Sequence, residues 1–197
     1  MPDSVKRWVR GRMVSVGRVI ARTGLSANAL TLIGLLLNIG AAAIVAAGWF
    51  VEGGIAFLIA SAFDMLDGAV ARATNTTSRF GAFLDSVVDR YNEAAMFVAL
   101  LVVFAQRGQS DLVLATALAL VGSILVSYAR ARAEGLSVDC EVGLLQRPER
   151  VIIIAAGLIF YGFLLAPVLW GLALVTNVTV IQRALHVRRE LDPSRKP

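Results

Sequence analysis

The hydrophobic residues of this chain fall into long runs that short polar stretches separate. Six runs occur, at residues 27–48, 53–72, 82–106, 111–130, 150–166 and 168–186. A helix of about 20 residues crosses a hydrocarbon layer of roughly 30 Å, so each run is a candidate membrane span. A hydrophobic content of 57% with only 17% charged residues exceeds what one small soluble core can bury. The pattern predicts an all-α integral membrane bundle of six transmembrane helices.

The first 25 residues follow a different pattern, in which basic and apolar residues mix at near-helical spacing. This pattern predicts an N-terminal amphipathic helix that lies beside the membrane at its interface. No internal repeat or long soluble linker interrupts the sequence. We therefore expect a single membrane domain over residues 1–197, with an interfacial segment at 1–25 and the six transmembrane helices within 27–186.

Basic residues concentrate on one side of the predicted bundle. Six spans place the N-terminus, the 73–81 loop, the 131–149 loop and the C-terminus on the same side, and the opposite loops contribute only Arg107. The positive-inside rule then predicts a multi-pass protein of the plasma membrane with both termini in the cytoplasm. The net charge of +5 suits anionic membrane lipids or a phosphorylated substrate, and it requires no nucleic-acid partner.

Cysteine and histidine offer little for catalysis. The only cysteine, Cys140, excludes an internal disulfide, and its polar loop holds no base that would activate it. The only histidine, His186, lies between Leu185 and Val187 and is poorly suited to a Ser/His/Asp triad. Nucleophilic catalysis of these kinds is disfavoured.

Carboxylates inside the apolar runs are what hydrophobic composition cannot explain, because a charge near the bilayer centre costs about 2.5–3.5 kcal/mol. Asp64 and Asp67 share one helical face near the end of the second run, and Asp85 and Asp89 share a face near the start of the third. Two facing acidic stripes would repel each other unless cations neutralise them. Oxygen ligands suit Mg²⁺ or Mn²⁺, so we expect one or two such ions here, with the site at the cytoplasmic end of the bundle.

The residues around the carboxylates favour a phosphorylated ligand. Gly68, Ala71 and Gly81 are small and lie on the same faces, which leaves room for a ligand, and the Arg72 guanidinium suits phosphate oxygens. One alternative is that the acids form interhelical ion pairs with basic neighbours. Those neighbours would be Arg72, Arg79 and Arg90.

A cation or proton transporter is a second alternative, because intramembrane acids also mark ion pathways. All four aspartates lie near one end of their helices, and the opposite half of the membrane lacks a matching ionisable relay. The positions of the acids therefore weaken this alternative.

Residues 64–89 read DxxDGxxARx8GxxxDxxxD, and this pattern resembles the motif of the class I CDP-alcohol phosphatidyltransferases, or CDP-alcohol phosphotransferases. The resemblance implies a homodimeric transferase of phospholipid biosynthesis that uses CDP-diacylglycerol or a related CDP-lipid. It implies that Asp64, Asp67, Asp85 and Asp89 bind two metal ions and that Asp89 is the catalytic base. The donor would contact Asn28, Gly68, Ala71, Arg72, Ser78 and Gly81.

One position departs from the family before the first span. Family members often carry Thr-Pro-Asn there, whereas this chain has Ser26-Ala27-Asn28. Asn28 keeps the matching amide, and the lost proline changes the expected turn. The same asparagine is also explained as an ordinary residue at a helix start after Ser26.

The acceptor is expected to carry phosphate itself. Arginines from three predicted spans reach the same cytoplasmic level, and guanidinium groups bind phosphate oxygens in a directed way. The stretches SYARARAE and RPER are similar to those of the phosphatidylinositol-phosphate and archaetidylinositol-phosphate synthases, which implies inositol 1-phosphate. Glycerol 3-phosphate is the alternative acceptor, as in phosphatidylglycerophosphate synthases. The residues expected to bind the acceptor phosphate are Ser127, Arg130, Arg150 and Arg183.

Overall fold

The computed structural model describes residue 20 and residues 24–192. In that part the chain forms helices and no β-strand, which confirms the all-α prediction. The predicted amphipathic segment lies outside the described residues, apart from residues 20, 24 and 25. The helices are α1 (Ala27–Ala46), α2 (Phe50–Ala73), α3 (Arg79–Gln106), α4 (Ser110–Glu134), α5 (Arg147–Ile159) and α6 (Leu165–Glu190).

Side-chain caps define where three of the helices begin. Ser26 Oγ accepts a hydrogen bond from Ala29 N at 3.2 Å before α1, and Ser78 Oγ accepts one from Gly81 N at 2.9 Å before α3. At the start of α5, Glu149 Oε2 accepts from Gln146 N at 2.7 Å. These bonds satisfy backbone groups that the first turn of a helix leaves unpaired.

Four helices of the described part, α1, α2, α4 and α6, are long and apolar enough to cross a membrane. The prediction of six such helices was therefore too high by two. Helix α3 carries Asp85, Asp89, Arg90 and Glu93 within its first 15 residues, and α5 has 13 residues, about 20 Å of helix. The apolar runs alone took no account of the charged residues of α3 and did not indicate that α5 ends early.

The helices pack into one bundle with an apolar centre. Helix α1 packs against α2 and α3, α2 against α5, α3 against α4, and α6 against α4 and α5. Large apolar side chains also cover the outside, including Leu36, Ile59 and Phe163, which are 64–74% exposed. Such an outward face fits lipid contact. The largest fully buried apolar side chains are Phe57, Phe97, Met96, Leu30, Leu100, Ile154, Leu158, Leu169 and Leu172.

The buried charged groups gather toward one end of the bundle. The end of α2 and the start of α3 meet there with the start of α5 and the last turns of α4 and α6. Asp64, Asp67, Arg150 and Arg183 are all buried at this end. The fold thus places the charges that a membrane interior disfavours beside two cavities.

Candidate active site

The first cavity, which we call the donor cavity, has a volume of about 210 Å³ and lies between the start of α1, the end of α2 and the start of α3. The structure brings together every residue that was expected to contact the donor. Asp67 and Asp85 line the same cavity. The predicted donor residues in its wall are Asn28, Gly68, Ala71, Arg72, Ser78 and Gly81.

Two glycines of the donor cavity allow close approaches that a larger residue would hinder. A Cβ atom on Gly68 would lie 3.1 Å from Arg72 Nη1, and one on Gly81 would lie 3.1 Å from Ser78 Oγ and 3.4 Å from Asn28 Oδ1. The missing side chains let the Arg72 guanidinium fold over α2 and let α1 approach the start of α3. The small residues thus make room for these neighbouring side chains, and the expectation that they leave room for a ligand stays a prediction.

Asp67 is held by two hydrogen bonds. Its Oδ2 accepts from Thr31 Oγ1 at 2.5 Å, and its Oδ1 accepts from the backbone amide of Gly68. Sequence analysis missed Thr31. The available signal was a hydroxyl one turn after Ala27 and Asn28 in an otherwise apolar run.

Asp64 and Asp89 share one guanidinium. Arg147 Nη2 donates to Asp64 Oδ2 at 3.0 Å, and Arg147 Nη1 lies 2.7 Å from Asp89 Oδ1. Asn92 Nδ2 also donates to Asp64 Oδ2, at 3.3 Å. Throughout residues 24–192, the ion pairs of the motif aspartates are with Arg147, so the alternative in which the acids pair with Arg72, Arg79 and Arg90 is wrong.

The chemistry of the four carboxylates fits a divalent cation, although their present arrangement is not convergent. Residues 24–192 contain no group of three or more acidic, histidine or cysteine side chains placed to hold one ion. Asp64 Oδ1 and Asp89 Oδ1 are nevertheless buried and receive no hydrogen bond within the described part of the chain, the Arg147 contact of Asp89 being an ion pair without hydrogen-bond alignment. Such carboxylate oxygens are the ligands that Mg²⁺ and Mn²⁺ prefer.

A glycine of α1 shapes the surroundings of one of these oxygens. A Cβ atom on Gly34 would lie 2.7 Å from Asp64 Oδ1. Any other residue at position 34 would push the carboxylate aside or separate α1 from α2. Sequence analysis missed Gly34, since its partner lies on another helix.

The second cavity, which we call the acceptor cavity, has a volume of about 130 Å³ and lies between α3, α4, α5 and α6. Asp89 is in its wall, and Asp85, in the wall of the donor cavity, lies one turn earlier on α3. The two cavities therefore flank one stripe of carboxylates. All four predicted acceptor residues line the second cavity, namely Ser127, Arg130, Arg150 and Arg183.

Neighbouring groups of the same chain already hold two of the acceptor-cavity arginines in place. Arg150 is 1% exposed and donates through Nε and Nη2 to the two carboxylate oxygens of Glu93, at 2.7 and 3.0 Å. Arg183 donates to the carbonyl oxygens of Val142 at 2.8 Å and Val126 at 2.5 Å. These contacts fix the guanidinium groups rigidly before any substrate contact.

Arg130 and Ser127 form the more accessible part of the acceptor-cavity wall. The Arg130 side chain is 44% exposed, and its Nε donates to Glu134 Oε1 at 2.8 Å. Ser127 is half-buried one turn earlier on α4. This part of the wall can adjust to a ligand more easily than the buried arginines can.

Three residues of this region were missed as site residues. Arg90 and Arg147 line the acceptor cavity, and Glu93 binds Arg150. Glu93 continues the spacing of Asp85 and Asp89 by one more turn, so the pattern contained the signal. Arg147 had been assigned to a loop, which concealed its contact with the aspartates.

Cys140 and His186 do not line either of the two cavities of the described structure. Cys140 is fully buried, and His186 Nε2 lies 2.9 Å from the carbonyl oxygen of Asp139. The expectation that neither acts as a nucleophile or in a triad stays a prediction.

An all-helical bundle that places a carboxylate stripe between a small-residue cavity and an arginine-rich cavity suits an enzyme that binds phosphorylated ligands. The profile of the CDP-alcohol phosphatidyltransferases matches residues 25–182. The chain therefore belongs to the CDP-alcohol phosphatidyltransferase family and is a transferase.

Similar proteins narrow the comparison to one branch. The chain is 38% identical over 177 residues to the phosphatidylinositol phosphate synthase of Mycobacteroides abscessus, covering 86% of this chain and 80% of that protein. It is 39% identical over 176 residues to the archaetidylinositol phosphate synthase of Methanothermobacter thermautotrophicus, covering 86% and 87%. These matches confirm the resemblance to the inositol-phosphate branch.

Solved structures agree with the fold. The phosphatidylinositol phosphate synthase of Mycobacterium tuberculosis with CDP-DAG bound superimposes with a TM-score of 0.84 at 32% identity, covering 89% of this chain and 93% of that one. The same enzyme in complex with manganese and citrate gives a TM-score of 0.82 at 33% identity, covering 89% and 88%. The second structure shows that a relative of this chain binds manganese.

Proposed function

We propose that this protein transfers a phosphatidyl group from CDP-diacylglycerol to inositol 1-phosphate and releases CMP. The observation that carries the proposal is the pair of cavities on either side of Asp85 and Asp89. The relatives named for inositol-phosphate products, and the relative with CDP-DAG bound, support both substrates.

The donor would bind where small residues let a bulky diphosphate approach the helices. Arg72 and the hydroxyl of Ser78 offer donors to its phosphate oxygens, while Gly68, Ala71 and Gly81 leave room beside them. The amide of Asn28, at the start of α1, closes the wall. This assignment follows from the lining of the cavity and the family motif.

The four motif aspartates, Asp64, Asp67, Asp85 and Asp89, would hold the divalent cations, and we infer two ions because two pairs of carboxylates are available. When bound, such cations neutralise the diphosphate of the donor and stabilise the charge that develops as CMP leaves. Manganese in a relative supports Mn²⁺, and the oxygen ligands suit Mg²⁺ as well.

Asp89 lies in the acceptor-cavity wall, where it can accept the proton of the attacking hydroxyl. The hydroxyl oxygen forms a bond to the phosphorus that carries the diacylglycerol. The bond from that phosphorus to the oxygen of the CMP phosphate breaks, and CMP departs with that oxygen. Asp89 therefore serves as the general base of the transfer.

The acceptor phosphate would bind among the arginines of the second cavity. Arg130, Arg150 and Arg183 come from three helices and surround this space together with Ser127. Because buried Arg150 and Arg183 are already oriented, a phosphate gains their attraction at little cost in side-chain freedom. Phosphate binding alone would accept glycerol 3-phosphate too, so the inositol assignment rests on the similar proteins.

We further infer that the protein lies in the plasma membrane with its site facing the cytoplasm and the charged ends of α3 and α5 at that surface. The basic residues beside the cavities support this orientation through the positive-inside rule. A single domain, cytoplasmic termini and a homodimer stay predictions. Cysteine labelling from either side of sealed vesicles and a mass measurement in detergent would test them.

The experiment for the proposed function offers the purified chain CDP-diacylglycerol and Mn²⁺ with one acceptor at a time. We expect CMP release with inositol 1-phosphate and none after chelation of the metal. Lipid product from glycerol 3-phosphate alone would contradict the acceptor assignment. Metal flux across proteoliposomes without CMP formation would instead favour the transporter alternative.

A further inference from the structure

Arg147 contacts the first and the last aspartate of the motif at the same time. Its Nη2 lies 3.0 Å from Asp64 Oδ2, and its Nη1 lies 2.7 Å from Asp89 Oδ1. The side chains of the three residues are 28%, 3% and 16% exposed. Because little water surrounds them, the guanidinium attracts the carboxylates more strongly than a surface ion pair would.

The framework of the bundle sets the position of Arg147. Helix α5 begins at this residue, and Glu149 caps the helix start through the backbone amide of Gln146. One turn further, the buried Arg150 binds Glu93 of α3 with two hydrogen bonds. Since Glu93 lies one turn after Asp89, this ion pair fixes the start of α5 against the carboxylates. The contact of Arg147 with the aspartates is thus supported by the buried ion pair that links α5 to α3.

The ion pair and a divalent cation draw on the same carboxylates. Arg147 stabilises Asp64 and Asp89 close together, which would otherwise repel each other. A cation that binds Asp89 Oδ1 must displace part of the guanidinium, whereas Asp64 Oδ1 is not contacted by Arg147. Arg147 already forms part of the acceptor-cavity wall, so the displaced group has an adjoining space rich in phosphate-binding residues.

We propose that Arg147 is an internal counter-cation that holds Asp64 and Asp89 together and competes with the divalent metal for them. This inference rests on the proposed metal-dependent function. It assigns Arg147 a positioning role that the predicted metal and acceptor residues did not include. Replacing Arg147 should therefore increase the affinity for the metal and lower the stability of the metal-free protein. Replacing an ordinary metal ligand or a purely structural residue would not give this combination.

The test measures Mn²⁺ binding to the purified full chain in detergent, without substrates, from the electron paramagnetic resonance signal of free Mn²⁺. We expect Arg147→Gln to bind Mn²⁺ about tenfold more tightly than the wild type. Its unfolding midpoint should be lower without metal and return toward that of the wild type at saturating Mn²⁺. Arg132→Gln, an equal loss of charge on the exposed last turn of α4, should leave Mn²⁺ affinity unchanged.

Arg147→Lys keeps the test decisive if Arg147→Gln does not fold. An ammonium is a compact point charge that cannot span two carboxylates as the guanidinium does, so this variant should also bind Mn²⁺ more tightly, by a smaller factor. Equal or weaker Mn²⁺ binding by the folded Arg147 variants would overturn the inference. If the wild type bound no Mn²⁺, or if its Mn²⁺ binding did not depend on Asp64, the proposed metal site itself would be wrong.

Discussion

The donor and acceptor cavities share one carboxylate stripe but are built in different ways. The donor cavity takes most of its wall from residues 67–85, which are adjacent in sequence, and depends on glycines that permit close approach. The acceptor cavity takes its arginines from α3, α4, α5 and α6, which are distant in sequence. The donor cavity depends on residues without bulky side chains. The acceptor cavity depends on arginines whose charged groups must be held in place.

The difference explains why the acceptor cavity needs a larger supporting structure. A buried guanidinium is tolerated only with a partner, and Glu93 provides one for Arg150 while backbone carbonyls do so for Arg183. The donor-cavity Arg72 is exposed and has no such requirement. We therefore expect substitutions around the acceptor cavity to affect stability, and those around the donor cavity to affect substrate binding.

Asp89→Asn should give the largest effect, because Asp89 lies in the acceptor-cavity wall one turn after Asp85 of the donor cavity. The amide cannot accept the hydroxyl proton, so CMP release should fall by about 10²–10⁴-fold. Turnover is measured with both substrates saturating. Asp111→Asn, at the exposed start of α4, should retain normal turnover, and a fully active Asp89→Asn would remove Asp89 from the mechanism.

Glu93→Gln should destabilise the acceptor side by leaving the buried charge of Arg150 without its carboxylate. Breaking a buried pair costs about 3–5 kcal/mol, which thermal unfolding in detergent would detect. Glu52→Gln, on the exposed first turn of α2, is the matched change and should have little effect. Equal stability of both variants would show that the Glu93 pair is not a support.

Thr31→Val should affect the donor side without a comparable loss of stability. It removes the hydroxyl that donates to Asp67, and hydrogen bonds to charged groups contribute about 1.5–3 kcal/mol. The KM for the CDP-lipid should rise about tenfold or more, while the KM for the acceptor stays close to normal. Thr116→Val serves as the control, because its hydroxyl bonds only the backbone of α4. An unchanged KM for the CDP-lipid would contradict a role of Asp67 in donor binding.

Arg130→Gln should have the smallest effect, since its side chain is exposed and its ion pair with Glu134 contributes at most about 1 kcal/mol. We expect the KM for inositol 1-phosphate to rise a few-fold with the KM for the CDP-lipid unchanged. Arg132→Gln provides a neighbouring loss of charge for comparison. If only the KM for the CDP-lipid changed, the assignment of Arg130 to the acceptor would be wrong.

The same contrast explains what sequence could predict. The aspartates and most of the donor wall lie within one short segment, so its helical spacing placed the aspartates and the family resemblance supplied the donor contacts, Asn28 included. Arg150 and Arg183 were found because arginine is costly inside a span. Glu93, which pairs with Arg150, and Gly34, which lies against Asp64, were not predicted. Both contacts depend on how separate helices pack.

The limits of the fold prediction have the same origin. Helix positions followed from apolar runs, and the described helices begin and end within a few residues of them, except at the early end of α5. Whether each helix suits a membrane depends on charge and length together, which is why α3 and α5 differ from the prediction. Arg147 was assigned to the loop over residues 131–149, although Pro148 and Glu149 are local signals that a helix begins there.

The most direct measurement of the central claim is the mass of the lipid formed from CDP-diacylglycerol and Mn²⁺ with inositol 1-phosphate or with free inositol. The acceptor cavity predicts a lipid that retains the inositol phosphate, and little or no product from inositol without phosphate. An equal yield of lipid from free inositol would contradict the assignment of the arginine-lined cavity to an acceptor phosphate.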